Sequence, residues 1–422
     1  MPTPPVPPDT HGHADGPGPA PRNAGPDRFF VTAPLAAAAA GALVCVAGID
    51  ALRTGYSPTT LLLTHLGTLG FLGAAMFGVV YRITPLVAGA RLPLPRSTTL
   101  VHAALVIGLF GVAAILGGGL DVTPHWGFGF VELAALVFVG TTGWALGRRA
   151  TKRDETVRGM LLAVAALLLV ALLGTVLERA LGGEARPGAR ALWLQVHLTL
   201  AFLGWVGALI ASVSWQVLPG FHGTPEVPRP ARRGTLLPIA AGIVLCLAAL
   251  PLEATERVEG GTFATVAATP AALAVWVWHP WTAARAIAAG PGALADVGLR
   301  FWSAGLATAP IVLVAGAWAA LGNDPRAAVL FGWLAVWGWA GLIVHGLVVR
   351  LAPPTAPSPD DPSANARMRR GFVPHVASVA VGAAAIVLVN DALARAAGGL
   401  ALIAAGLLLS AIVGARRRGR AE

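Results

Sequence analysis

The sequence predicts an all-α, polytopic membrane protein with twelve transmembrane helices in three repeated four-helix arcs and both termini in the cytoplasm. Three observations predict it: apolar runs long enough to cross a bilayer recur along nearly the whole chain, basic residues sort to one side of those runs, and an internal repeat of constant period relates three of them.

The 422 residues are 56% hydrophobic and 12% charged, too little polar surface to clothe a water-soluble particle of this size. A helix crosses about 30 Å of hydrocarbon with roughly 20 residues. Runs of that kind lie near 29–52, 58–81, 97–119, 124–147, 157–181, 192–217, 233–252, 262–288, 297–321, 327–350, 371–390 and 393–414. The formal net charge of +10 invites a nucleic-acid partner, but the placement of the charges excludes that reading. With the N-terminus in the cytoplasm, 23 of the 30 Lys and Arg residues fall on the cytoplasmic side and 7 on the other. That is the positive-inside bias of an even number of spans, and it places the protein in a bacterial inner membrane.

Residues 1–28 are rich in Pro and Gly with almost nothing to bury, so they read as a disordered cytoplasmic tail. His11, His13 and Asp15 within it lack a fold to fix a metal geometry. The membrane domain covers 29–414, with repeats at about 29–147, 157–288 and 297–414. A Pro-rich linker from Pro353 to Pro362 joins spans 10 and 11, and residues 415–422 form a basic cytoplasmic tail. Cys45 and Cys246 both fall inside spans and read as packing residues.

The repeat is carried by three even-numbered spans, which end LGFLGAAMFGVVYRITP, LGWVGALIASVSWQVLP and WGWAGLIVHGLVVRLAP. Gly70, Gly204 and Gly338 stand at one fixed distance before Pro85, Pro219 and Pro353. Each is followed by an aromatic (Phe71, Trp205, Trp339) and precedes a second glycine by three places (Gly73, Gly207, Gly341). Every column advances by the same interval, twice. Small residues three apart let helix backbones approach closely, so these three helices are expected to line the centre. The prolines are expected to end them at the membrane boundary.

Ionisable side chains inside a span are costly, and each is a functional candidate. His65 and His197 lie about two turns in from the outer surface on repeat-related spans, at nearly equal distances before Pro85 and Pro219. A single membrane histidine makes an interhelical hydrogen bond. Two at one depth point to a shared ligand, because neutral imidazole is a common ligand for transition metals and haem. Thr64, Thr68 and Thr199 are polar neighbours that could orient the rings. His345 and His102 are further metal-ligand candidates, although His345 lies about 18 Å deeper than His65 in the repeat frame and cannot join the outer pair on one metal. His102, His279 and His375 sit towards the cytoplasmic side and read as interfacial, as does His125 at the outer face, while His222 lies beyond a helix end. Glu132, about two turns into the fourth span, is the acidic candidate for a proton-accepting site or a histidine partner. Arg82 and Arg350 end their spans and read as snorkelling to the surface. No phosphate loop, nucleophile elbow, zinc-protease pair or c-type haem attachment is present in the sequence.

Twelve spans, three repeated arcs and histidines on the inner helices resemble subunit I of the heme-copper oxidase superfamily. Locally, VHLTLAFLGWVGALIASVSWQVLP is similar to that family's tenth helix, which runs H-x-H, then L-G-W, then a proline. The resemblance makes His197 the counterpart of the low-spin haem ligand and puts Thr199 at the high-spin haem ligand's place. His65 matches by helix order the second-helix haem ligand, although its distance to the proline is that of the copper ligand on helix 6. The departures are large. The seventh span has no histidine where the oxidases carry an adjacent pair for copper, and Phe331, Gly332 and Trp333 stand where two haem-binding histidines belong. Tyr56 and Tyr81 are the only tyrosines, and the sole lysine, Lys152, lies in a loop.

The resemblance therefore implies a divergent member similar to NnrS-type proteins. It would bind a b-type haem, copper or both near the outer face through His65 and His197, and act in electron transfer, nitric oxide handling or metal supply rather than oxygen reduction. The expected partners are the lipid bilayer and a respiratory-chain or cytochrome partner, with no nucleic acid. Two other classes fit the same sequence: a membrane transporter or permease, suggested by internal repeats with Gly- and Pro-interrupted helices, and a non-catalytic assembly subunit of a respiratory complex.

Overall fold

The computed structural model describes residues 25–94, 96–118, 125–151, 154–181, 187–253, 259–291, 296–352 and 362–418. The N-terminal tail, apart from its last four residues, and all of the Pro-rich linker but Pro362 lie outside the described residues.

Among the described residues, twelve helices are long and apolar enough to cross a membrane: α1 (Asp27–Leu52), α2 (Pro58–Ala88), α3 (Ser97–Leu116), α4 (Trp126–Arg148), α5 (Glu155–Arg179), α6 (Arg190–His222), α7 (Arg229–Leu252), α8 (Gly260–Ala288), α9 (Val297–Leu321), α10 (Pro325–Leu351), α11 (Met368–Leu388) and α12 (Asp391–Gly414). No strand occurs among the described residues. Helices satisfy every backbone donor and acceptor within the segment, which is why a chain this apolar forms nothing else in lipid.

Neighbour packing runs from α1 to α3, α4, α5, α7, α8, α9, α11 and α12, and back to α1, so these nine helices form a closed ring. The other three sit inside it. Over their most apolar stretch α2, α6 and α10 are 83%, 83% and 78% buried, whereas no other helix exceeds 50%. Aromatic contacts join the inner three pairwise. Phe71 of α2 stacks on Trp337 of α10 at 5.4 Å, Phe77 of α2 meets Trp205 of α6 at 6.0 Å, and Phe202 of α6 meets Phe331 of α10 at 5.3 Å. Such pairs add about 0.5–1.5 kcal/mol each beyond the area they bury.

The repeated columns acquire distinct physical roles. A Cβ on Gly70, Gly204 or Gly338 would come 2.6 Å from Ala36, Ala166 or Thr308, side chains of α1, α5 and α9. The first glycine thus seats each inner helix against the outer helix that precedes it. The second glycine serves a widened turn. Leu66–Gly73, Leu200–Gly207 and Leu334–Ala340 are π-helical, and the three segments begin at the interval of the sequence repeat. A Cβ on Gly73, Gly207 or Gly341 would lie 3.1, 2.9 or 2.5 Å from the carbonyl oxygen five residues earlier, on Thr68, Phe202 or Val336. Segments of this kind often mark functional sites. Gly341→Ala should therefore destabilise the protein by about 1–3 kcal/mol, measured as a lowered thermal midpoint in detergent, while Gly332→Ala, where a Cβ meets nothing within 4 Å, should leave it unchanged.

Two sequence expectations need correction. Pro85 and Pro219 do not end their helices. Each sits in the last turn, and the helix continues to Ala88 or His222, stopping at Gly89 or Gly223 with φ of 62° or 63°. A proline lacks only its own donor, and the left-handed glycine is what reverses the chain. Pro353 lies outside the described residues. The last span ends at Gly414, and its helix continues to Arg418 through the first residues of the basic tail.

Arg82 and Arg350 do not snorkel either. Arg82 pairs with Asp27 at the start of α1, and Arg350, 5% exposed, lies 3.3 Å from Asp296 at the N-cap of α9. Gln216, midway between them in the repeat, donates to Thr156 near the start of α5 at 3.1 Å. A polar group near the end of each inner helix therefore ties it to the first turn of an outer one.

Candidate functional site

Two turns into α2, the His65 Nδ1–H donates to the carbonyl of Leu61 at 2.7 Å. A carbonyl can only accept, so the proton sits on Nδ1 and Nε2 keeps its lone pair. The ring packs edge-on against Phe128 of α4, 5.5 Å away at 75°. His197, at matching depth on α6, lies within electrostatic range of His65. Its Nδ1 is buried without a hydrogen bond of normal geometry, the backbone of Val170 being its electrostatic neighbour on α5. The absence of a side chain at Gly174 of α5 leaves room beside the ring, since a Cβ there would stand 3.8 Å from Cε1. Each histidine thus retains one ring nitrogen that the described residues do not bond.

Glu132 lies one turn beyond Phe128 on α4. It accepts a hydrogen bond from Thr175 of α5 and is within electrostatic range of Glu178 and Arg179. Its expected histidine partnership is not made among the described hydrogen bonds, but Glu132 stands one turn from Phe128, which meets His65, and its partner Thr175 follows Gly174, which lies beside His197.

The threonines expected to orient the imidazoles do other work. Thr64 and Thr68 donate back to the carbonyls of Thr60 and Thr64, at 2.8 and 2.7 Å. Thr199, two residues beyond His197 and so on the opposite side of the helix, is buried beside Cys246 of α7.

The remaining described histidines pack against neighbouring helices, most of them buried. His102 bonds the Thr32 hydroxyl at 2.8 Å and meets Phe29 edge-on, joining α3 to α1. His279 is buried and bonds Ser214 at 3.0 Å. His222 is the last residue of α6, not a residue beyond it, and its Nδ1–H donates to Asp296 at 2.6 Å. The side chain of His125 and all of His11 and His13 lie outside the described residues. His345 does not face the outer pair. It meets His375 of α11, with the two Nδ1 atoms 3.1 Å apart. Among the described residues no three His, Cys, Asp or Glu side chains converge.

The glycine, aromatic and proline columns lie in spans 2, 6 and 10 and not in span 11, so they set no register between His375 and His345. A signal existed all the same. His345 lies six residues before the end of α10 and His375 seven after the start of α11, which sets them at one depth on consecutive antiparallel helices.

No protein-family model matches the chain, and no curated protein matches it.

Proposed function

We propose that this protein is a divergent relative of heme-copper oxidase subunit I that holds a b-type haem or copper near its outer face between His65 and His197. The observation that carries the reading is that the two imidazoles share one level on two inner helices, and each keeps a ring nitrogen unbonded among the described residues. Two neutral imidazoles without a thiolate suit haem iron or copper and not calcium or magnesium. The Leu61 carbonyl fixes the His65 tautomer so that Nε2 is the donor, the usual outer-shell arrangement for a ligating histidine.

Once bound, such a group supplies one-electron chemistry or small-gas binding. The protein's own residues do the rest. His65 and His197 bind and orient, Phe128 packs edge-on against the His65 ring, and Glu132 with Thr175 holds a proton-exchanging group one turn from Phe128. The missing oxidase histidines and tyrosine argue for electron transfer, nitric oxide handling or metal supply over oxygen reduction.

The ring of nine helices around three supports reading the chain as three four-helix units, and the bias of basic residues supports both termini in the cytoplasm of a bacterial inner membrane. A respiratory-chain or cytochrome partner is the redox counterpart this reading requires.

Oxidised and dithionite-reduced absorption spectra of the detergent-purified protein, with metal analysis, test it. Haem bands or copper are expected in the wild type and should be diminished when His65 and His197 are both replaced by Ala. Absence of haem and copper from the wild type, or a full wild-type complement in the double variant, overturns the reading.

A further inference from the structure

On α10 and α11, deeper than the outer pair, His345 and His375 are 2% and 3% exposed and hold their Nδ1 atoms 3.1 Å apart. The Nε2–H of His375 donates to the carbonyl of Trp337 at 3.0 Å. That bond fixes the tautomer and turns the Nδ1 lone pair of His375 towards His345. Phe301 of α9 stacks on the His345 ring at 4.3 Å, and a Cβ on Gly371 would stand 3.3 Å from its Nε2, so the ring is held on two sides. A gap with room for about one water opens beside the pair, walled by Phe71, Trp337 and the alanines Ala37, Ala401, Ala404 and Ala405.

Two electron pairs facing each other at this distance need a cation between them. A proton on His345 Nδ1, donated to His375 Nδ1, meets that need in the metal-free protein. With the proton on Nε2 instead, both Nδ1 atoms are free to bind a metal. We propose that His345 and His375 form a second, separate metal site, and that the ion is copper(I).

The chemistry of the surroundings selects the ion. Imidazole nitrogens suit copper, and a monovalent ion brings the least charge into an apolar interior. Zinc in a closed site takes four ligands, commonly with thiolates, whereas no third His, Cys, Asp or Glu joins this pair among the described residues. The nearby gap leaves space for a small neutral ligand on the ion.

The site is independent of the outer pair, so the two can be tested apart. The full-length H65A/H197A protein, loaded with copper(I) in detergent under reducing conditions, is expected to keep one tightly held copper per chain. Its X-ray absorption spectrum should show two imidazole donors. The H345A/H375A protein is expected to lose that equivalent while retaining whatever His65 and His197 hold. Copper-free H65A/H197A protein, or a bound copper whose spectrum lacks paired imidazole scattering, overturns the proposal. Because the spectrum is read on a variant with the inner pair intact, the result stands even where H345A/H375A fails to fold.

Discussion

Replacing Asp296 with alanine should destabilise the folded protein by about 3–5 kcal/mol, the usual cost of removing one partner from a buried charge pair. Asp296 binds three elements at once. It accepts from the His222 Nδ1–H at 2.6 Å, takes the Arg350 guanidinium at 3.3 and 3.4 Å on its two oxygens, and caps α9 through the Gly298 N–H at 2.7 Å. Arg350 is 5% exposed and its Nε has no partner among the described residues, so deletion of the carboxylate strands a guanidinium in a low-dielectric surrounding. Asp296→Asn keeps one acceptor, enough for the cap, but removes the charge and sets an amide NH2 donor against the His222 N–H, and should fall between wild type and Asp296→Ala in thermal midpoint.

Burial pushes the Asp296 carboxyl upward, but the hydrogen bond and charge of His222, with the Arg350 charge and the Gly298 amide, outweigh it and hold the group well below the usual carboxylate range. A carboxylate that stays ionised in the folded protein at pH values where the unfolded chain takes up a proton contributes fully above the ordinary carboxylate range. The contribution disappears as pH falls through the depressed value. Acid titration of the thermal midpoint should therefore show a steeper loss for wild type than for Asp296→Asn. Equal slopes would mean that the pairing charge is not what stabilises this junction.

Gly398→Val should open the ring where the last helix meets the first. A Cβ on Gly398 would lie 2.3 Å from the Cys45 nitrogen and 2.7 Å from the Gly41 carbonyl oxygen, and one on Gly41 would lie 2.7 Å from the Leu402 nitrogen. These are backbone atoms, so no rotamer change can relieve the clash and α1 and α12 must separate. The loss should reach the upper part of the overpacking range, about 3 kcal/mol, and Cys45, already partly accessible, should react faster with a maleimide. Gly399→Val is the control, because a Cβ there meets nothing within 4 Å. If both variants behave alike, close backbone contact between α1 and α12 does not hold the ring shut.

Much of the membrane architecture was readable from residues alone, since span length is a local property. An apolar run either reaches across the hydrocarbon or it does not, and the twelve helices begin and end within a few residues of the predicted limits, except where α2 and α6 outrun their prolines. The glycine columns were visible as a pattern, but their division of labour was not. Gly70 seats a helix, whereas Gly73 accommodates a widened turn, and the sequence shows only two small residues three apart. The depth of His65 and His197 could be counted from the prolines. That Nδ1 of His65 is tied to Leu61, or that Thr199 turns to Cys246, could not.

The sequence by itself determined the number of spans, their approximate limits and the glycine pattern shared by the three inner helices. Tertiary structure alone decided which side chains meet: His345 with His375, Arg350 with Asp296 and His222, Glu132 with Thr175. The physical reason is the solvent. In water an amphipathic pattern tells which face of a helix turns inward, but in lipid the outward face is as apolar as the inward one. The rotation of each helix about its axis is then set by glycine contacts and polar pairs between helices, which exist only once the bundle is assembled.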